Sequence, residues 1–279
     1  MADSAFQTQY RQEFIAGFEQ NRSLFRYTAV DEAVIKGNTA VFLVADTGAA
    51  EAVTRGSNGL IASRSDNLSQ NSCTLQEWHD KPRRSHFNIF GSQGDGRRIM
   101  QLGTTKVLNR KIDDLVIGQL AAGTVDTGTA VTGSLALIAK AVAILGNSDV
   151  DVQEEENMFC AMSPAMHAYL MQVKEFASSD YVDVKPLNGP ATKMRRWYGI
   201  NFFVSNRLSG RTTSTEKCLL WHKNAIGYAV NTGDMQVMAD YNSEDDYYWA
   251  RASAFMGAKL LQNSGVVVIN HDGSAYVGE

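Results

Sequence analysis

The feature that most limits how this chain can fold lies towards its C-terminal end. An aromatic run, Tyr247-Tyr248-Trp249, is followed by the small-residue segment Phe255-Met256-Gly257-Ala258-Lys259. After Asn263-Ser264-Gly265 comes the β-branched run Val266-Val267-Val268-Ile269. This composition predicts a strand, a connecting turn over the small-residue segment, and a closing strand buried on both faces. A strand of that kind needs neighbours from elsewhere in the chain, and no catalytic group organises it.

At 279 residues the chain exceeds the roughly 100 to 200 residues of a usual single domain, so one large or two intertwined domains are expected. With 44% hydrophobic and 20% charged residues, the composition supports a packed core. The start, Met1-Ala2-Asp3-Ser4, has no basic and apolar leader pattern, and charges interrupt every apolar run before membrane-spanning length. These features predict a cytosolic protein without membrane partners. Cys73, Cys160 and Cys218 form no Cys-x-x-Cys pair and read as reduced, buried small hydrophobes.

Along the chain, Phe6, Tyr10, Phe14, Ile15 and Phe18 repeat as the stripe of an amphipathic helix over 4–21 capped by Ser4. Such a stripe packs either on its own domain or on a partner subunit. Thr39 to Ala45 has strand composition. The stretch from Asp46 to Leu75 is too rich in Gly, Ser and Asn to hold a core, so a long projecting hairpin is expected, with Arg55-Gly56-Ser57-Asn58-Gly59 turning it and Leu60-Ile61-Ala62 returning it. Leu108, Ile112, Leu115 and Val116 predict a helix from about 97 to 122, close to ~40 Å long, with Arg110 and Asp114 able to pair across one turn. Ser134 caps an apolar helix ending near Leu145. Met158 to Met162 reads as a buried strand, and Ser163-Pro164 opens a helix through about Lys174. Trp197 to Asn206 and Lys217 to Trp221 read as strands, and a closing sheet begins near Met235.

Signatures of chemistry are missing. No phosphate loop, dinucleotide fingerprint, zincin helix or nucleophile elbow occurs in the sequence. Gly91-Ser92-Gln93-Gly94-Asp95-Gly96 has the wrong spacing for a dinucleotide. His222 lies four residues from Cys218 with no further ligand nearby, and Glu154-Glu155-Glu156 and Glu244-Asp245-Asp246 read as exposed acidic loops. No catalytic residue, cofactor or metal is therefore expected. Charge is uneven, however: residues 81–111 hold Lys81, Arg83, Arg84, Arg97, Arg98, Lys106, Arg110 and Lys111 against Asp95 alone, although the whole chain carries a net charge of -4. Such a segment is either a solvated face or a site for an acidic partner.

The C-terminal block, His222-Lys223-Asn224-Ala225-Ile226-Gly227, Tyr198-Gly199-Ile200-Asn201-Phe202-Phe203-Val204 and Asn109 to Ile117 together resemble the major capsid proteins of tailed bacteriophages. The resemblance implies an α+β chain with the Johnson (Hong Kong 97-type) capsid fold. Residues 1–35 would be an N-arm. Residues 36–123 and 234–279 would form a peripheral domain with an extended loop at 46–75 and a spine helix near 97–122, and 124–233 an axial domain. It further implies a non-enzymatic subunit of an icosahedral phage head around double-stranded DNA, located in the virion and assembled in the host cytoplasm. Partners would be other copies in pentamers and hexamers, with scaffolding, portal and decoration proteins. Assembly contacts would fall on Phe6, Tyr10, Phe14, Phe18, Arg55, Gly56, Asn58 and Gly59. Arg97, Arg98, Lys106, Arg110 and Lys111 would be the cations that face DNA, through phosphates alone. The alternative is an encapsulin-like nanocompartment shell. Lysine cross-linking through the extended loop is not expected, because no lysine lies between Lys36 and Lys81.

Overall fold

A computed structural model describes residues 23–31, 34–46, 51–63, 67–86, 96–154, 156–177 and 195–276. The strands are β1 (Val34–Lys36), β2 (Thr39–Asp46), β3 (Asn67–Thr74), β4 (Gln76–Asp80), β5 (Arg83–Ser85), β6 (Met158–Met162), β7 (Arg195–Trp197), β8 (Ile200–Val204), β9 (Glu216–His222), β10 (Ile226–Asn242), β11 (Tyr247–Leu260) and β12 (Val266–His271). The helices are α1 (Gly96–Leu120), α2 (Leu135–Asn147), α3 (Pro164–Leu170) and α4 (Lys174–Ala177). The chain packs as two units: Met1–Ser23, Gln76–Ile112 and Val230–Met256 form one, and Leu24–Leu75, Asp113–Ala229 and Gly257–Glu279 the other.

The second unit is built on a five-stranded sheet of order β12-β9-β6-β8-β7. Only the β6–β8 pair is parallel, as expected when a helical crossover joins the two strands. All five residues of β6 are buried, which explains its unbroken apolar sequence. Ser163 Oγ accepts from the Met166 N–H at 3.1 Å with Pro164 in the first turn of α3, and Ser134 Oγ accepts from the Leu137 N–H at 3.3 Å at the start of α2. Both caps satisfy amides that have no partner within their helices. From α2, Leu137, Ile138, Ala141 and Leu145 are buried, and the helix lies against β12.

An N-terminal segment locks onto this sheet. Phe25 stacks on Trp221 at 5.7 Å between centroids and meets Phe203 edge-on at 5.1 Å. The Trp221 indole donates to the Thr28 carbonyl at 3.0 Å, so the polar handle of the ring is satisfied in the core. Asp113, fully buried, accepts from the amides of Phe25 at 3.2 Å and Leu24 at 3.4 Å.

In the first unit, β4 and β5 pair with β11, which also pairs with β10. Helix α1 begins in the first unit and ends in the second, and its 25 residues give a rod of about 37 Å at ~1.5 Å per residue. Met100, Thr104, Leu108, Ile112, Val116 and Leu120 recur at every fourth position, and all are buried. That ridge includes the predicted Leu108, Ile112 and Val116 and extends them by a turn or more at either end.

Several sequence expectations need correction. The segment Phe255–Lys259 is not a turn; it continues β11, and the reversal falls at Asn263–Gly265. Gly257 sits there because a Cβ would come within 2.7 Å of Cys73 Sγ. The long strand β10 begins at Ile226, not near Met235. The helix opened by Ser163-Pro164 stops at Leu170, and α4 is separate. Leu60-Ile61-Ala62 forms no strand; the return strand starts at Asn67. Asp114 takes Arg207 in a two-point pair with contacts of 2.6 and 2.5 Å. Strand β12 forms one edge of the sheet built by residues 158–222.

Candidate assembly surfaces

The β2–β3 hairpin pairs residue by residue from Thr39↔Thr74 to Asp46↔Asn67. Alternation along the strands sorts its side chains onto two faces. On the inner face Ala40, Phe42 and Cys73 are buried. On the outer face stand Leu43, 78% exposed, and Leu68, 77% exposed. Leu68 pairs directly with Ala45, two residues from Leu43, so the two leucines are diagonal neighbours. Beyond the described strands, residues 51–63 are exposed throughout. The Gly56 amide donates to the Leu60 carbonyl at 2.9 Å and the Gly59 amide to the Gly56 carbonyl at 2.8 Å, closing a tight turn that Gly59 permits with φ 73°. Arg55, Gly56, Asn58 and Gly59 thus lie at an exposed turn, flanked by the exposed side chains of Val53, Leu60 and Ile61.

The other predicted assembly residues, Phe6, Tyr10, Phe14 and Phe18, lie outside the described residues. Of the candidate DNA-facing cations, Arg97 and Arg98 fall on the first turn of α1, and Lys106 and Arg110 are half-buried one turn apart on it. The Lys111 Nζ lies 3.7 Å from the centroid of the Trp78 ring. Lys106, Arg110 and Lys111, whose side chains are described, are all half-buried.

Titratable groups support packing, not chemistry. Burial pushes the Cys218 thiol up to about 12, partly opposed by its hydrogen bonds with the Ser163 backbone and side chain, and burial also raises Cys160. Such thiols are inert, and all three cysteines are free and buried. The Glu154 carboxyl is held below its ordinary value first by Asn157 Nδ2 at 2.7 Å and then by His222 at 3.3 Å. His271 and Glu216, 0% and 1% exposed, meet at 2.8 Å inside the sheet. Among the described residues no cluster of three His, Cys, Asp or Glu is placed to hold a metal, and no helix is long and apolar enough to cross a membrane.

Residues 2–273 match the family model of the phage capsid protein. The chain belongs to the phage capsid protein family. A sequence comparison with curated proteins finds no match. Among solved structures, one from Mycobacterium phage Che8 superposes with a TM-score of 0.71 at 19% identity, covering 97% of this chain and 98% of that one. The capsid of Ralstonia phage GP4 gives 0.72 at 10% identity, covering 99% and 98%. The capsid of a native GTA particle gives 0.69 at 13%, covering 97% of each chain. This chain is thus a major capsid protein with the α+β phage-capsid fold: a structural, non-enzymatic subunit that self-assembles into the capsid of a virion. The encapsulin alternative is not favoured.

Proposed function

We propose that this capsid subunit is of the Hong Kong 97 type, and that its β2–β3 hairpin and exposed loop lie over a neighbouring copy in pentamers and hexamers. The observation that carries this reading is the outer face of the hairpin. Leu43 and Leu68 stand three-quarters exposed on paired strands, and burying each fully is worth roughly 1.5 to 3 kcal/mol. An adjoining apolar pair left in water on a shell-forming chain marks a surface that another copy covers. In this reading residues 1–35 are the arm, α1 the spine helix, and 124–233 the axial domain. The enclosed polymer is double-stranded DNA, met by Arg97, Arg98, Lys106, Arg110 and Lys111 through phosphates. Scaffolding, portal and decoration proteins complete the particle, which is assembled in the host cytoplasm.

The test is Leu43→Ser with Leu68→Ser, read by negative-stain microscopy of particles and by circular dichroism of subunits. Folded subunits that no longer close shells are expected. Normal shells from the double variant would remove the hairpin from the interface.

A further inference from the structure

The four-stranded sheet of the first unit carries cations that no carboxylate among the described residues neutralises. Tyr247 and Trp249 stand two residues apart on β11, and each ring holds a positive head: Arg83 Cζ lies 5.0 Å from the Tyr247 centroid and Lys81 Nζ 4.7 Å from that of Trp249. Arg251, two residues further along the same strand, follows on the same face. Its Nε is buried without an acceptor, and its Nη2 meets only Met238 Sδ, at 3.7 Å. Among the described residues no carboxylate pairs with Lys81, Arg83 or Arg251. Two acids of the same unit are engaged otherwise. Glu77 sits 2.9 Å from His79, and Asp246 accepts from the Tyr241 hydroxyl at 2.6 Å and lies 3.6 Å from His86.

Heads held over aromatic rings keep their charge while losing much of their freedom, so they are preorganised for an anion. Because the rings are capped, the face offers no platform for stacking bases. A continuous phosphate chain would also run past Glu77 and Asp240 in the same sheet, which would repel it. A short carboxylate-bearing segment meets neither obstacle.

One such segment follows α2. Asp149, Asp151 and Glu156 are exposed, and no cation pairs with any of them among the described residues. Since the neighbours of a subunit in its shell are copies of itself, we propose that the Lys81, Arg83 and Arg251 face of one subunit docks on the exposed carboxylates of Asp149, Asp151 and Glu156 in a second copy. The inference rests on shell assembly alone and does not require the hairpin reading above. Charge pairs of this kind act chiefly on association rate and partner choice.

The experiment compares three full-length variants: Lys81→Glu with Arg83→Glu, Asp151→Lys with Glu156→Lys, and all four together. Assembly is followed by light scattering and microscopy over a salt series, and folding by circular dichroism. Each double reversal should slow assembly roughly tenfold or more at low salt, and the fourfold swap should recover most of the loss. Two slowed doubles without recovery in the swap would overturn the pairing. So would a Lys81/Arg83 variant that assembles at the normal rate, and a lower DNA content in its particles would then assign the face to nucleic acid. If a reversal fails to fold, Lys81→Gln with Arg83→Gln is used, and an unchanged salt slope for assembly overturns the proposal. Loss of assembly in the Leu43/Leu68 variant is apolar and would not respond to the charge swap, so the two readings fail separately.

Discussion

Gly227 shows how narrowly one side chain can fix a strand. A Cβ there would lie 2.6 to 2.9 Å from ring carbons of Phe42, itself buried on the inner face of the hairpin. Gly227→Ala should cost about 1 to 3 kcal/mol through overpacking, measurable as a lower midpoint in urea unfolding of assembly-blocked subunits. Asp113 is a second such point. Asp113→Ala strands the amides of Leu24 and Phe25 and should cost about 1 to 3 kcal/mol, whereas Arg207→Met, which frees a half-exposed pair, should cost about 1 kcal/mol or less. Glu154 offers a pH test. Its folded pKa is depressed, so its contribution is present above the unfolded value and disappears as pH falls through the folded one. Glu154→Gln should therefore flatten the acid limb of a melting-temperature profile; an unchanged limb would dismiss the Asn157 and His222 bonds as energetically idle. The burial of His271 against Glu216 was not legible in the sequence, because 55 positions separate them and only the β9–β12 register makes them opposite neighbours.

At the scale of elements, local chemistry read well and tertiary context decided the remainder. Ser134 and Ser163 announced α2 and α3 because a cap is a local hydrogen bond, and β6 announced itself because a two-sided burial leaves no polar residue. The error at Phe255–Lys259 has the opposite cause. Small residues suggested a turn, yet they are small because a strand passes close to Cys73 and other buried neighbours. Leu60-Ile61-Ala62 misled likewise: apolar residues suggested a strand where no strand among the described residues pairs with them. The β7–β8 hairpin holds a testable compromise. Its turn places Tyr198 at φ 54° before Gly199 at φ 71°, a conformation that suits Asn far better than an aromatic residue. Tyr198→Asn should raise subunit stability by about 0.5 to 1 kcal/mol, visible as a higher melting temperature.

For the whole molecule, the order of elements carried more information than any motif. A hairpin, a long helix, an α/β segment and a returning sheet were together enough to point to a capsid fold. The basic segment was less well anticipated. Its surplus divides between a sheet, where Lys81 and Arg83 ride on aromatic rings, and a helix, where Lys111 is held by Trp78. Charge counted along the chain cannot foresee that division. If Arg97 and Arg98 meet packaged DNA, Arg97→Gln with Arg98→Gln should leave empty shells intact and reduce the salt dependence of filled ones; filled heads with unaltered salt response would exclude the contact.

The exposed turn that closes between Gly56 and Leu60 has a practical corollary. Arg55 is the one basic residue in the stretch from Glu51 to Ser63, all of it open to solvent, and open loop tips are where proteases cut first. Trypsin should nick free subunits after Arg55, while subunits whose loop has been covered by a neighbour should survive. The fraction of uncut chain in timed digests would then act as a clock for shell closure, counting each subunit at the moment its loop is covered.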